Sequence, residues 1–87
     1  MARSLHIVYF AWVKERLGKA EEGIDIPDEV GSISDLIEFM VAHDSLYEHV
    51  FSDLAKLRFA LDQEFVPINE PIGDAQELAI FPPVTGG

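Results

Sequence analysis

The residues best suited to chemistry lie at the end of the chain, in the run Phe81-Pro82-Pro83-Val84-Thr85-Gly86-Gly87. Pro82 and Pro83 lack N–H donors and bias the residues before them toward extended backbone, so a strand ending here must leave its sheet as a stiff segment. Val84 and Thr85 continue an extended, uncharged path. Gly86 and Gly87 have no side chains, so a terminal carboxylate can pass through a channel that would reject any Cβ. From Leu78 to Gly87 there is no charged side chain. A thin neutral arm ending in a carboxylate is suited to delivery into another protein's active site. The ordinary alternative is a frayed tail, but exposed tails are usually polar and this one follows directly on an apolar strand pattern.

Other reactive groups form no recognisable constellation. His6, His43 and His49 lie far apart, and none has metal-ligand spacing to another histidine, so each reads as a surface or strand-edge residue and no metal site is expected. The serines show no nucleophile-elbow pattern, and Gly86-Gly87 is not a phosphate loop because no helix follows it. Without cysteine there is no disulfide framework, no cysteine-ligated zinc or iron–sulfur site and no thiol nucleophile. Sixteen Asp and Glu residues make some carboxylate pairs inevitable, so proximity alone assigns no acid–base role. These features point away from an enzyme that acts alone.

Composition narrows the setting. At 87 residues the chain has room for one domain, and 48% apolar residues suffice for a core despite a net charge of -10. That charge opposes binding to nucleic-acid phosphates and suits steering toward a basic partner. Four of the six bases precede position 20, whereas Ala20 to Ala55 holds ten acids and no base. The apolar run Leu5–Val13 is too short to span a bilayer and lacks a signal-cleavage pattern, so a cytoplasmic, membrane-independent protein is expected.

The elements that must position the arm follow from periodicity. Leu5 to Phe10 reads as a strand, with Leu5, Ile7 and Tyr9 on one face and His6, Val8 and Phe10 on the other. Ala11 to Leu17 forms a short helix closed by Gly18. Glu22 to Ile26 is a second strand, pairing with the first. Ser32 and Asp35 make an approximate capping box for a helix whose apolar stripe is Ile33, Leu36, Ile37, Met40 and Val41. Ser45 with Glu48 suggests another capped turn, presenting Leu46, Val50 and Leu54. Leu57–Leu61, Glu64–Val66 and Glu77–Phe81 complete the strands, with Asp62-Gln63 as a turn and Ile68–Gln76 as a loop. The sum is an α+β domain with a mixed sheet packed on one main helix over residues 1–81, and an extended arm at 82–87.

The ending FPPVTGG resembles that of the small subunit of molybdopterin synthase, a ubiquitin-like sulfur carrier with a β-grasp fold. IVYFAWVKERLG resembles that family's first strand and helix, SISDLIEFM its main helix, and FALDQEFV its late hairpin. The thiamine-pathway carriers also end in Gly-Gly but usually lack the Phe-Pro-Pro lead-in. The resemblance implies that Gly87 is the reactive residue. An E1-like adenylyltransferase would use ATP to adenylate its carboxylate, and a sulfur donor system would convert the adenylate to a thiocarboxylate. The carrier would then dock on the molybdopterin synthase large subunit, in a heterotetramer of two small and two large subunits, and donate sulfur to the pterin precursor. No cofactor would be bound by this chain itself.

By the same resemblance, Phe10, Phe65 and Phe81 match hydrophobic partner-contact positions, although any of them could instead be core, Phe10 most readily. Asp62 stands where the family often has Asn, and Asp can make the same turn. Three further readings stay open: a protein modifier that forms isopeptide bonds through Gly87, a sulfur carrier of another pathway such as thiamine synthesis, and an interaction module with an incidental tail.

Overall fold

Strand β1 (Arg3–Tyr9) buries Leu5, Ile7 and Tyr9 and turns His6 and Val8 to the opposite face, as period-two alternation requires. These positions come from a computed structural model, which describes residues 3–83; Val84, Thr85, Gly86 and Gly87 of the expected arm lie outside it. Helix α1 (Ala11–Leu17) follows at once and ends on Gly18, whose φ of 74° is the left-handed cap the sequence suggested. Strand β2 (Glu21–Ile26) returns antiparallel to β1.

The remaining strands are β3 (Arg58–Leu61), β4 (Glu64–Val66) and β5 (Glu77–Phe81). The sheet order is β2-β1-β5-β3-β4, with β1 and β5 parallel and every other pair antiparallel. This is the expected mixed sheet of the β-grasp fold. It places the last strand at the centre, so the chain leaves from the middle of the sheet. Helix α2 (Ile33–His43) contributes Ile33, Leu36, Ile37 and Met40 to the same buried cluster as Ile7, Leu78 and Ile80. Each such side chain gains roughly 1.5–3 kcal/mol from leaving water.

The start of α2 is closed in a way that sequence reading only partly captured. Ser32 Oγ accepts from Asp35 N at 3.1 Å and Asp35 accepts from Ser32 N, forming the expected box. The other free donors of the first turn, Ile33 N and Ser34 N, bond the carbonyls of Glu70 and Ile68 at 3.1 and 2.9 Å. The long loop before β5 is thus fastened to the main helix, which sets where β5 begins.

Helix α3 (Ser45–Val50) corrects one expectation. Asp44, not Ser45, is its cap: Asp44 Oδ1 accepts from Leu46 N at 2.9 Å. Shifting the start by one residue rotates the buried face to Tyr47, Val50 and Phe51, and leaves Leu46 exposed. Both Asp and Ser are good caps, and docking of Tyr47 decides between them.

Asp62 and Gln63 join β3 to β4, with φ of 48° and 73° as a two-residue hairpin turn of type I′ requires. Asp62 does more than turn the chain. Its Oδ1 accepts from Gln76 N and Glu77 N, each at 3.0 Å, so one carboxylate ties the hairpin to the start of β5. Asp62→Ala is expected to cost about 1–2 kcal/mol, and Asp62→Asn less, since the amide keeps an acceptor oxygen. Chemical denaturation measures this, and an unchanged midpoint for Asp62→Ala would contradict it.

A second polar anchor joins the first two strands to α3. Tyr9 and Tyr47 both donate to Glu22 Oε2, at 2.5 and 2.6 Å, and Lys19 Nζ donates to Glu22 Oε1 at 3.1 Å. Desolvation pushes the Glu22 carboxyl up, but the bonds from Tyr47, Tyr9 and Lys19 outweigh it and hold it below its ordinary 4.5. Burial, reinforced by the Glu22 carboxylate, raises the Tyr9 hydroxyl above its ordinary 10.0. The depressed acid stabilises the fold above pH 4.5, and that contribution fades as pH falls through the folded value. The raised Tyr9 stabilises below pH 10.0, and its contribution fades as pH rises beyond it. Glu22→Gln should therefore flatten the acid limb of a stability–pH profile, and an unaltered limb would refute this.

Candidate functional site: the open sheet face at the root of the arm

The helices cover one face of the sheet, and the other is open. Register defines its rows. Glu21, Val8, Ala79, Ala60 and Phe65 lie opposite one another across all five strands, in sheet order. Toward the exit of β5 the next row holds Phe81 facing Arg58. Phe10 follows directly on the Tyr9–Ile80 pair, and its N–H bonds Ile80 O at 3.2 Å.

The three phenylalanines matched by resemblance are therefore brought together. Phe65 is 82% exposed and Phe10 49%, which excludes the core alternative for both. Phe81 is half-buried, and its ring centroid lies 5.6 Å from that of Phe65. Between them Ala60 and Ala79 form a floor low enough to leave a shallow depression of ≈ 510 Å³. Pro82 and Pro83 are half-buried and line the same depression, so the first residues of the expected arm are part of its wall.

Residues at the rim of this depression hold unusual backbone. Ala11 has φ of 55° and Gln63 φ of 73°, in the left-handed region where a Cβ costs roughly 1–2 kcal/mol. Ala11 makes the abrupt passage from β1 into α1 that leaves Phe10 facing outward. Sequence reading missed the alanine floor and this conformation. The outward positions of Ala60 and Ala79 follow from strand alternation, but their adjacency depends on a pairing between strands seventeen or more residues apart, which no local pattern reports.

His6, His43 and His49 are exposed on separate elements, as the sequence reading placed them. Among the described residues no group of His, Asp or Glu could hold a metal ion. No helix among them is long and apolar enough to cross a membrane. Chemistry at this site is that of a surface: an apolar depression from whose edge Pro82 and Pro83 lead toward the Gly-Gly terminus.

Comparison with known proteins places this architecture. The model of the ThiS family matches residues 7–87, which includes the strands that build the depression and the whole arm. The chain belongs to the ThiS family. Within reach of that family, the chain is 34% identical to the molybdopterin synthase sulfur carrier subunit of Dictyostelium discoideum, over 100% of both chains. It is 30% identical to the sulfur carrier subunit of Escherichia coli (strain K12), over 95% of this chain and 99% of that one. Among solved structures, SAMP1 of Haloferax volcanii superposes with a TM-score of 0.73 and 27% identity, covering 98% of this chain and 100% of the other. The family match thus runs through both the sheet that carries the depression and the terminal glycines.

Proposed function

We propose that this chain is the sulfur carrier subunit of a molybdopterin synthase, acting in the cytoplasm as a partner of the large subunit and not as a catalyst on its own. The observation that carries the reading is 30% and 34% identity, over nearly the full length, to two sulfur carrier subunits, with the terminal Gly-Gly inside the family match. A carboxylate is a poor electrophile for sulfur. In this reading the Gly87 carboxylate attacks the α-phosphorus of ATP on an E1-like adenylyltransferase, and pyrophosphate leaves. The outer sulfur of a donor persulfide then attacks the adenylate carbonyl and displaces AMP, and a thiol of the donor system cleaves the resulting acyl disulfide, leaving a C-terminal thiocarboxylate on Gly87 and a disulfide on the donor. Pro82 to Gly86 carry that group into the large subunit's pocket, where sulfur passes to the pterin precursor. Phe10, Phe65 and Phe81 supply the apolar docking surface at the base of the arm. The assembly is a heterotetramer of two small and two large subunits.

Incubation with the activating enzyme, ATP and a sulfur donor is expected to raise the intact mass by about 16 Da, as one oxygen becomes sulfur. A mass that never changes would sink the reading. The likeness to SAMP1, a small archaeal modifier protein, supports a second reading in which Gly87 is joined to lysines of other proteins. Covalent adducts on a denaturing gel that vanish with Gly87, in the absence of any thiocarboxylate, would favour the modifier.

A further inference from the structure

The open face is charged asymmetrically along the strands. At the end from which β5 leaves, Arg58 faces Phe81 in the register, and Arg58 is the last base in the sequence. Its Nη1 donates to Ala55 O and Leu57 O, at 3.0 and 2.8 Å, so the guanidinium is folded back on the turn before β3, and Arg58 lines a second hollow together with Phe65, Phe81 and Pro83. Farther from that exit, among the described residues, the same face carries His6 with Glu77, Asp62 and Asp25, while Glu21 stands at the β2 edge of the depression's own row and leans toward His6. His6 lies opposite Glu77 across the β1–β5 pair and bonds Glu21 Oε1 at 2.7 Å. Asp25 pairs with Ser4, and Asp62 sits at the start of the hairpin beside Glu77. The apolar depression lies between these two charged ends.

Building on the sulfur-carrier reading, we propose that this face is covered by a protein surface polarised in the reverse sense. That surface carries lysines or arginines over Glu21, Asp25 and Glu77, and a carboxylate beside Arg58. Apolar contact alone is non-directional: three phenylalanine rings would permit several rotations of the partner about the depression. Opposite charges at the two ends permit one, because the reversed arrangement sets like charges together. The selected rotation is the one in which the arm, leaving beside Arg58, points the same way in every encounter. A second copy of this chain is a poor occupant, since each copy carries a net charge of -10 and the two bodies repel.

The test uses the purified large subunit of molybdopterin synthase from the same source, with association and dissociation followed at low and high salt. Wild-type association should slow as salt rises. Glu21→Lys with Glu77→Lys should slow it about tenfold at low salt, with dissociation nearly unchanged. Glu21→Gln with Glu77→Gln should give a smaller loss in the same direction, which guards against a folding defect in the reversed variant. Glu48→Lys, on exposed α3 away from this face, should have little effect. If wild-type binds and the paired variants associate as it does at every salt concentration, the polarised-rim proposal is wrong while the sulfur-carrier reading stands. If wild-type does not bind the large subunit at all, the reading fails and the proposal with it. Self-association through the face, seen as a dimer that Phe65→Ala dissolves, would also overturn the proposal.

Discussion

Removal of Gly87 is expected to abolish thiocarboxylate formation and sulfur transfer completely while leaving the fold as stable as before. The chemical half of this expectation concerns a single carbon. On the proposed reading the carboxylate to be adenylated is that of Gly87, and without it the new terminus would fall one residue short of the activating centre. About 3.3–3.6 Å of reach is lost per extended residue, more than the tolerance of a positioned attack. The stability half concerns the core. Among the described residues the buried cluster runs from Leu5 to Ile80, and Gly87 has no side chain to lose. A change beyond about 0.5 kcal/mol would be unexpected for removal of a residue without a side chain. Intact-mass spectrometry and thermal melting of the same preparation check both halves. A truncated chain that still gains sulfur would refute the assignment of Gly87, and one that unfolds would show that the terminus supports the body.

Phe65→Ala is expected to separate docking from stability in the other direction. With 82% of its surface in water, Phe65 contributes little to the core, and its loss should change stability by less than about 0.5 kcal/mol. Its ring nonetheless packs 5.6 Å from that of Phe81 and walls the depression over Ala60. A large exposed ring beside a concave apolar floor has the character of an interface anchor, since covering it removes apolar area from water without ordering a flexible side chain. Truncation should weaken binding of the partner large subunit by about 2 kcal/mol, roughly thirtyfold. Activation at Gly87 by chemical means would be untouched, because Phe65 is not part of the arm. Titration calorimetry with the large subunit measures the affinity, and an unchanged value would remove Phe65 from the docking surface.

Much of the fold is legible because its strongest signals are local. The stripe of α2, the Ser32–Asp35 box, the Gly18 cap and the Asp62-Gln63 turn each depend on residues within a few positions of one another. The start of α3 is not legible in that way. Asp44 and Ser45 are adjacent and both capable caps, and the choice follows from Tyr47 reaching Glu22 across 25 positions. The dual role of Asp62 is hidden for the same reason, since its partners Gln76 and Glu77 are distant in sequence and only the β3–β5 pairing brings them near.

For the site, the sequence by itself determined the composition of the terminal run: two prolines, no charged side chain from Leu78 onward, glycines at 86 and 87, and no cysteine in the chain. Such properties belong to residue types and their order, and folding does not alter them. Tertiary structure alone decided what surrounds the root of the arm. Placing β5 between β1 and β3 sets Phe81 beside Phe65, lays Ala79 against Ala60, and puts Arg58 and the acids at opposite ends of one face. Those neighbours are separated by up to tens of residues, and their juxtaposition is a consequence of strand register, which is set by burying the other face of the same strands.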